Sequence, residues 1–316
     1  VANSKLAFFD KDGISNGWET DFEVFSVPYK TDEIIRFVKH HEFDNLIAID
    51  ATASVAFTQN YIKLIENGFH IVSANKVANT LHYDFYKALR FTLKKHNKSF
   101  LYETNVGAGL PVIETIKNLH NSGEKIEKIR GVFSGSLSYI FNQFSESEVP
   151  FSKVLNDASI LGLTEPDARE DLSGNDVARK LLILARELNF KTEFQDISIE
   201  SLVPKQLNGK TTLHQFKHRS KELDVPFQEL KKKLTKTQVL RYVGELDVTK
   251  KTLEVKLIQE EKNSALGQLK GADSVFEIFA ESYGKQPLVI QGAGAGKQVT
   301  ARGVLSDVIK ISNRLN

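Results

Sequence analysis

Short apolar runs alternate with segments of helical periodicity over residues 46–102. The runs are short enough for buried strands, whereas the segments between them repeat apolar positions at helical spacing. The predicted strands cover 46–51, 69–74 and 100–102, and the predicted helices cover 54–67 and 81–96. Strands that alternate with helices favour a parallel sheet with crossover helices. We therefore predict a Rossmann-like, doubly wound α/β domain over residues 1–110.

The pattern becomes mixed after residue 110, where helices and strands no longer alternate strictly. Pro111 is typical of the first turn of a helix. Helices are predicted over 111–120 and 137–144, and strands over 125–133, 239–244, 253–258 and 275–279. The later strands indicate a partly exposed sheet. We predict an α+β domain over residues 111–288, and we expect residues 289–316 to return to the first domain.

Composition narrows the class of protein. The 316 residues correspond to about two domains. The 42 Lys and Arg residues nearly balance the 40 Asp and Glu residues, which predicts neither a nucleic-acid nor a membrane partner. The absence of Cys excludes disulfides, thiolate metal sites and a Cys nucleophile, and it is compatible with a cytoplasmic location. Met is also absent and the chain starts at Val1, so we expect either a segment of a longer polypeptide or an omitted Met-derived residue.

Residues 164–180 combine five carboxylates with two Arg and one Lys ahead of an apolar helix. A spacing of four residues puts Asp176 and Lys180 on one face of a helix that begins near Ser173, where the carboxylate can orient the ammonium group. A Lys held in this way can polarise or protonate a carbonyl oxygen. The same spacing fits a capping box and an ordinary surface ion pair, and taken alone it favours that structural explanation.

Other segments have Gly, Ser or Lys where a ligand can approach the backbone. Gly135 and Ser136 lie at a predicted strand-to-helix junction, where free N–H groups can bind a carboxylate, although a Ser N-cap is the simpler explanation. Lys76 follows a strand at the carboxyl edge of the predicted sheet, where α/β enzymes bind ligands, but an exposed loop Lys explains it equally well. Glycines recur at 107 and 109 and at 292, 294 and 296, and such clusters most often form turns.

Six segments together resemble homoserine dehydrogenases, in the same order and over nearly the whole chain. They are ATAS at 51–54, SANKVANT at 73–80, ETNVGAGLPVIE at 103–114, GVFSGSLSYIFN at 131–142, LTEPDAREDLSGNDVARK at 163–180 and VIQGAGAGKQVTARGV at 289–304. The resemblance implies NAD(P)-dependent interconversion of L-aspartate 4-semialdehyde and L-homoserine by hydride transfer, a step towards threonine, methionine and isoleucine. It also implies a homodimer or higher homo-oligomer, with residues 111–288 binding substrate and forming the dimer contacts.

The resemblance assigns roles to individual residues. Lys180 would exchange a proton with the substrate oxygen, and Asp176 would orient the Lys180 ammonium group. The residues implied to bind substrate are Glu165, Asp171, Gly135, Ser136 and Lys76. The residues implied to contact the cofactor are Asn3, Lys5, Thr52, Ala53, Lys76 and Gly296. The family's monovalent cation site corresponds to Glu103, Val106, Ala108 and Leu110, and oxygen ligands of this kind, mainly from the backbone, suit a hard cation such as Na⁺.

The sequence departs from the family pattern at two places. Leu163 precedes Thr164 where the family usually has Tyr, so one hydroxyl contact near the substrate is missing. Residues 1–50 contain no Gly-rich phosphate loop, and residues 1–5 are expected to form the end of the second Rossmann strand. Asn3 and Lys5 stand where NAD enzymes carry an acidic residue, which predicts a preference for NADP, with NAD possible. We expect either a separate dehydrogenase or the dehydrogenase part of a bifunctional aspartokinase–homoserine dehydrogenase. The alternative function is a truncated, non-catalytic dimerisation and substrate-binding module of a larger enzyme.

Overall fold

The computed structural model describes residues 1–209 and 211–315. The strands are β1 (Leu6–Ala7), β2 (Val27–Pro28), β3 (Ile47–Asp50), β4 (His70–Ser73), β5 (Phe100–Leu101), β6 (Ile126–Val132), β7 (Ser198–Ile199), β8 (Gln238–Asp247), β9 (Thr252–Glu261), β10 (Ser274–Ala280) and β11 (Leu288–Gly292). The α-helices are α1 (Trp18–Phe25), α2 (Thr31–His40), α3 (Val55–Thr58), α4 (Tyr61–Glu66), α5 (Val77–Thr80), α6 (Tyr83–Lys95), α7 (Val112–Asn121), α8 (Gly135–Glu146), α9 (Phe151–Ile160), α10 (Ala168–Leu172), α11 (Asn175–Glu187), α12 (Leu213–Arg219), α13 (Asp224–Lys232) and α14 (Lys297–Leu315). Short 3-10 helices cover Glu103–Asn105, Phe194–Asp196, Ser220–Leu223 and Glu281–Tyr283.

The predicted alternation of strands and helices near the N-terminus is confirmed. Strands β3, β4 and β5 form a parallel sheet in that order, with Ile71 of β4 paired to Ala48 on one side and Phe100 on the other. The middle strand β4 is buried along its whole length, as expected for a parallel strand covered on both faces. Helix α4 packs on β4, and α6 packs on α4. This arrangement is the Rossmann-like part of the fold.

The helix predicted over 54–67 is two helices, α3 and α4. Ser54 caps α3 by accepting a hydrogen bond from the backbone N–H of Phe57. The side-chain amide of Asn60 then donates to the carbonyl groups of Ala56 and Phe57. Side chains that bond locally to the backbone compete with regular helix hydrogen bonds. The chain therefore turns at Asn60 before α4 begins.

The expectation of a strand end in residues 1–5 is wrong. Ala2 makes only an isolated bridge to Ala7, and the following residues turn back on themselves. The cause is Asn3, whose side-chain oxygen accepts the backbone N–H groups of Lys5 and Leu6, each at 2.8 Å. Such Asn turns compete with extended structure. Strand β1 pairs only with β2, in a two-stranded antiparallel sheet separate from the parallel one.

The larger sheet has six strands in the order β11-β10-β6-β8-β9-β7. It is antiparallel except for β7, which pairs with β9 in parallel. The strands predicted near 239–244, 253–258 and 275–279 are confirmed as parts of β8, β9 and β10. Strands β7 and β11 were not predicted because β7 has two residues and the apolar run of β11 ends in Gln291 and Gly292.

Helix α11 lies between the two parts of the fold. It packs on β8 and β9 of the six-stranded sheet and also contacts α5 and α7. Five consecutive apolar residues of its second half, from Leu181 to Ala185, are fully buried, because this part of the helix is covered on all sides. At its C-terminal end the buried guanidinium group of Arg186 donates to the carbonyl groups of Asn79 and Leu81, which ties α11 to the end of α5.

Within residues 1–209 and 211–315, no helix combines the length and hydrophobicity needed to cross a bilayer.

Candidate functional site

The first turns of α11 bring Asp176 and Lys180 together, as their spacing predicts. The Lys180 ammonium lies 2.8 Å from Asp176 Oδ2 and donates a hydrogen bond of 2.6 Å to the backbone carbonyl of Phe133. The Lys76 ammonium lies 3.2 Å from Asp176 Oδ1. Lys180 is buried, with 8% of its surface exposed. This arrangement is a carboxylate held between two ammonium groups rather than an ordinary surface pair.

The structural alternative of a Ser173 capping box is wrong. Ser173 ends the short helix α10, and Gly174 takes the N-cap position of α11 with a left-handed φ of 77°. A left-handed residue between the two helices lets α11 begin directly after α10 ends, and glycine adopts this conformation most easily. A Cβ atom at Gly174 would also lie 2.1 Å from the hydroxyl oxygen of Tyr242. The Asp176 carboxylate is thus left free to contact the two Lys side chains.

The two Lys side chains determine the charge state of Asp176. Burial alone would raise the pKa of this carboxyl group, but the positive charges of Lys180 and Lys76 and their hydrogen bonds hold the pKa well below its usual range. Asp176 is therefore ionised at every pH at which the protein is expected to work, and it keeps the Lys180 ammonium directed towards the start of α8.

The start of α8 supplies a second group of polar side chains. Ser134 is the N-cap and accepts the backbone N–H of Leu137, which confirms the capping explanation for this residue. Ser136 connects α8 to the acidic segment, because its hydroxyl donates a hydrogen bond of 2.6 Å to Asp171 Oδ1. The other Asp171 oxygen accepts the backbone N–H of Glu165 at 2.9 Å. Burial raises the pKa of Asp171, although these hydrogen bonds oppose the shift.

The side chain of Glu165 is exposed, so the structure connects Glu165 to Asp171 only through its backbone.

Gly135 lies where the C-terminal glycine segment meets α8: a Cβ atom there would be 3.0 Å from the carbonyl oxygen of Ala272 and 3.5 Å from the Cβ of Ala295. Gly296 has a φ of 120° and directly precedes α14. Glycine therefore permits close approach of this segment to the start of α8.

A cavity of about 890 Å³ lies beside strand β3. Its walls include Asn3, Thr52 and Ala53, three of the residues predicted to contact a cofactor. Lys5, Lys76 and Gly296 do not line it. The lining is mixed, with apolar side chains such as Ile47 and Phe69 beside the polar groups of Asn3 and Thr52.

A buried Asp that the sequence interpretation missed organises this edge of the sheet. Asp50 ends β3; its Oδ1 accepts the backbone N–H of Thr52 at 2.8 Å, and its Oδ2 accepts the Tyr61 hydroxyl at 2.6 Å and the Asn75 amide at 3.0 Å. Asn75 precedes Lys76, so Asp50 connects the cavity wall to the Lys76 segment. The available signal was an Asp at the carboxyl end of an apolar strand, the place where α/β folds bind ligands.

The segment predicted to bind a cation forms a tight loop. Gly107 and Ala108 are both left-handed, with φ values of 80° and 51°. The Glu103 carboxylate is already engaged, because it accepts the backbone N–H groups of Ile113 and Glu114 at the start of α7. Burial raises its pKa to about 7. Any cation bound here would therefore be held by backbone oxygens, including those of Val106, Ala108 and Leu110.

Within the part of the chain that the structure describes, no group of three or more His, Cys, Asp and Glu side chains is arranged to hold a metal ion.

The comparison with protein families shows which family the chain belongs to. The sequence model described as homoserine dehydrogenase matches residues 111–309, and the model described as homoserine dehydrogenase, NAD binding domain, matches residues 2–103. The chain belongs to the homoserine dehydrogenase family. The resemblance of its motifs to this family is confirmed, as is the fold of an NAD-binding Rossmann-like domain followed by an α+β domain.

Individual relatives agree with the family assignment. The homoserine dehydrogenase of Emericella nidulans is 41% identical over 280 residues, which are 85% of this chain and 76% of that protein. The bifunctional aspartokinase/homoserine dehydrogenase of Buchnera aphidicola is 39% identical over 312 residues, or 98% of this chain and 38% of that protein. The chain thus spans little more than a third of such bifunctional relatives.

Solved structures share the fold. A crystal structure of a Candida auris protein of unknown function has a TM-score of 0.91 and 36% identity, and the match covers 98% of this chain and 88% of that one. A hyperthermophilic archaeal homoserine dehydrogenase in complex with NADPH has a TM-score of 0.67 and 20% identity, with 92% of this chain and 77% of that one covered. At that identity the second match supports the fold alone.

Proposed function

We propose that the protein is an NADP-dependent homoserine dehydrogenase that interconverts L-aspartate 4-semialdehyde and L-homoserine. This reaction leads towards threonine, methionine and isoleucine, and we propose that it takes place in the cytoplasm. The observation that supports the proposal most strongly is the Lys76–Asp176–Lys180 cluster, which directs a buried ammonium group towards the serine-rich start of α8.

Residues of this chain carry out the proton transfer of the reaction. Lys180 donates a proton to the aldehyde oxygen of the semialdehyde and takes it back when homoserine is oxidised. Asp176 and the Phe133 carbonyl hold the ammonium group in place, at 2.8 and 2.6 Å. The nicotinamide ring, when bound, supplies or accepts the hydride. Lys76 contacts both cofactor and substrate from the opposite side of Asp176.

The substrate is held between α8 and the acidic segment. Backbone N–H groups of Gly135 and Ser136 lie at the start of the twelve-residue helix α8, where a substrate carboxylate is stabilised by the helix dipole. Asp171 and Glu165 supply acceptors for the amino and hydroxyl groups. Leu163 offers no hydroxyl to the substrate, so we expect weaker binding than in relatives with Tyr at this position.

The cofactor is proposed to extend from the active site into the cavity beside β3. Thr52 and Ala53 would contact it from the cavity wall, Lys76 and Gly296 near the nicotinamide, and Asn3 and Lys5 at the ribose. Residues 1–5 form a turn in which Asn3 lines the cavity, and because they carry no carboxylate, nothing in this segment would repel a 2′-phosphate. A monovalent cation such as Na⁺ would be bound by backbone oxygens of the Glu103–Leu110 loop and would rigidify it.

A titration and a substrate panel test the function. We expect NADPH to bind at least tenfold more tightly than NADH in a fluorescence titration, and aspartate 4-semialdehyde to be reduced in preference to semialdehydes of other amino acids. Binding of neither nucleotide would support the second candidate, a substrate-binding and dimerisation module without turnover. Sedimentation analysis tests the proposed homodimer, which a purely monomeric protein would exclude.

A further inference from the structure

Two glycines face each other in the middle of the six-stranded sheet. Gly131 of β6 pairs with Gly244 of β8 in the antiparallel register. A Cβ atom at Gly131 would lie 2.7 Å from Cε1 of Phe133, and a Cβ atom at Gly244 would lie 2.8 Å from Cε2 of the same ring. Carbon atoms in contact are about 3.5–4.0 Å apart. The Phe133 ring therefore occupies space that two side chains would otherwise fill, and we call this space the Phe133 slot.

The far wall of the Phe133 slot is also closed. The ring of Phe276 stacks on Phe133 with a centroid distance of 4.7 Å and an interplanar angle of 15°. Both side chains are fully buried. Phe276 in turn lies against Gly107, where a Cβ atom would be 3.2 Å from its ring. Because Phe276 covers one face of the Phe133 ring and the two glycines lie against its ring atoms, a methyl group added at either glycine must displace the ring or the backbone.

The backbone of Phe133 is part of the active site. Its carbonyl oxygen accepts the hydrogen bond from the buried Lys180 ammonium at 2.6 Å. The slot also contacts the helix that carries the acid–base pair, because a Cβ atom at Gly244 would lie 3.2 Å from Cγ1 of Val177, the neighbour of Asp176. Gly244 thus adjoins both the Phe133 ring and the start of α11.

We propose that Phe133, Gly131 and Gly244 are positioning residues for proton transfer. The two glycines leave room for the Phe133 ring, and the packed ring holds the backbone carbonyl of Phe133 within hydrogen-bond distance of the Lys180 ammonium. The proposal rests on the function proposed above. Small displacements of catalytic groups have large effects on rate, with about a hundredfold loss for about 1 Å. A purely structural role would instead change stability while leaving the turnover of the folded enzyme intact.

Gly244→Ala is the sharpest probe. Gly244 is not in the left-handed region, so alanine adds only a methyl group, whereas a Cβ atom at Gly131 would also collide with the carbonyl of Val275. We expect kcat for homoserine oxidation to fall by about tenfold or more, with the KM for NADP⁺ within about twofold of the parent value. In a Phe133→Leu background, which lacks the ring atoms that meet the methyl group, the same change is expected to alter kcat by less than about twofold.

A second readout needs no substrate. Loss of the Phe133 contact leaves the Lys180 ammonium with Asp176 as its one remaining described partner. We therefore expect an amine-reactive reagent to label Lys180 several-fold faster in Gly244→Ala, as measured by mass spectrometry against the exposed Lys95 of the same chain. Phe227→Leu is the matched control, because it removes a ring stacked at 3.7 Å on Phe151, away from the slot. It should lower stability without changing kcat or labelling.

The outcomes separate the two proposals. A parent protein that does not turn over homoserine refutes the proposed function, whereas labelling still reports on the slot. An active parent with unchanged kcat and unchanged Lys180 labelling in Gly244→Ala overturns the positioning role, whether or not stability falls. If Gly244→Ala does not fold, Phe133→Leu replaces it: lower kcat with faster labelling supports the proposal, and parent-like values for both overturn it.

Discussion

Replacing Asp176 by Asn separates a catalytic role of this carboxylate from a structural one. The change keeps the shape of the side chain and removes its charge. Asp176 Oδ2 lies 2.8 Å from the Lys180 ammonium and Oδ1 lies 3.2 Å from that of Lys76. In Asp176→Asn both ammonium groups lose the charge between them, and Lys180 retains the Phe133 carbonyl and a neutral amide oxygen as acceptors.

The size of the effect follows from this geometry. A hydrogen bond to a charged group contributes about 1.5–3 kcal/mol, and the Lys180 side chain is only 10% exposed, so water replaces the lost carboxylate poorly. If the loss falls on the transition state, about 2.7 kcal/mol corresponds to about a hundredfold decrease in kcat. The change also lowers the free energy of unfolding, because the same ion pairs hold the pKa of Asp176 below its usual range in the folded state.

Steady-state kinetics and urea denaturation on the same samples provide the assay. The matched control is Asp157→Asn, which removes the carboxylate of another Lys–Asp pair at helical spacing, 2.5 Å from Lys153 on the surface of α9. We expect the control to keep the parental kcat. A kcat for Asp176→Asn within about threefold of the parent, together with a lower free energy of unfolding, would show that Asp176 has only a structural role.

Two further predictions concern stability. The pKa of Glu103 is raised by burial from 4.5 to about 7, so the folded state holds this proton more tightly than the unfolded chain. The stabilisation is complete below the unfolded pKa, and the free energy of unfolding should fall by about 3 kcal/mol as pH rises from about 4.5 through 7. Glu103→Gln should flatten this pH dependence in urea titrations at several pH values. An unchanged pH dependence in the variant would contradict the prediction. Gly174→Ala should cost about 2–4 kcal/mol, because alanine is strained at a φ of 77° and its methyl group meets the Tyr242 hydroxyl. Tyr242→Phe should recover part of that loss in the double variant, and strict additivity would refute the steric explanation.

The sequence predicted those parts of the fold that depend on local pattern. The parallel strands β3, β4 and β5 follow from short apolar runs between helical segments, and the contact between Asp176 and Lys180 follows from helical spacing alone. The predicted N-cap of α11 was one residue too early. Ser173 followed three residues later by Asp176 resembles a capping box, whereas the left-handed Gly174 is the N-cap of the helix. Local pattern does not reveal which of two adjacent residues takes the left-handed conformation.

Contacts between distant segments could not be predicted from pattern. The bond from Lys180 to the Phe133 carbonyl joins residues 47 positions apart, and the pairing of Gly131 with Gly244 depends on the strand order of the larger sheet. Asp50 was overlooked because one Asp after an apolar strand has no distinctive spacing, although its three hydrogen bonds organise the sheet edge. The turn at residues 1–5 depends on the Asn3 side chain, which outweighs the extended pattern expected there.

The most direct test of the proposed function is the homoserine-dependent reduction of NADP⁺, followed by the absorbance of the reduced nicotinamide, in the parent protein and in Lys180→Ala. We expect turnover in the parent and a loss of about a hundredfold to ten-thousandfold in kcat in the variant, with NADPH affinity unchanged, because the proton donor is removed while the cofactor contacts remain. A parent without homoserine-dependent reduction, or a Lys180→Ala variant with the parental rate, would contradict the assignment of this site.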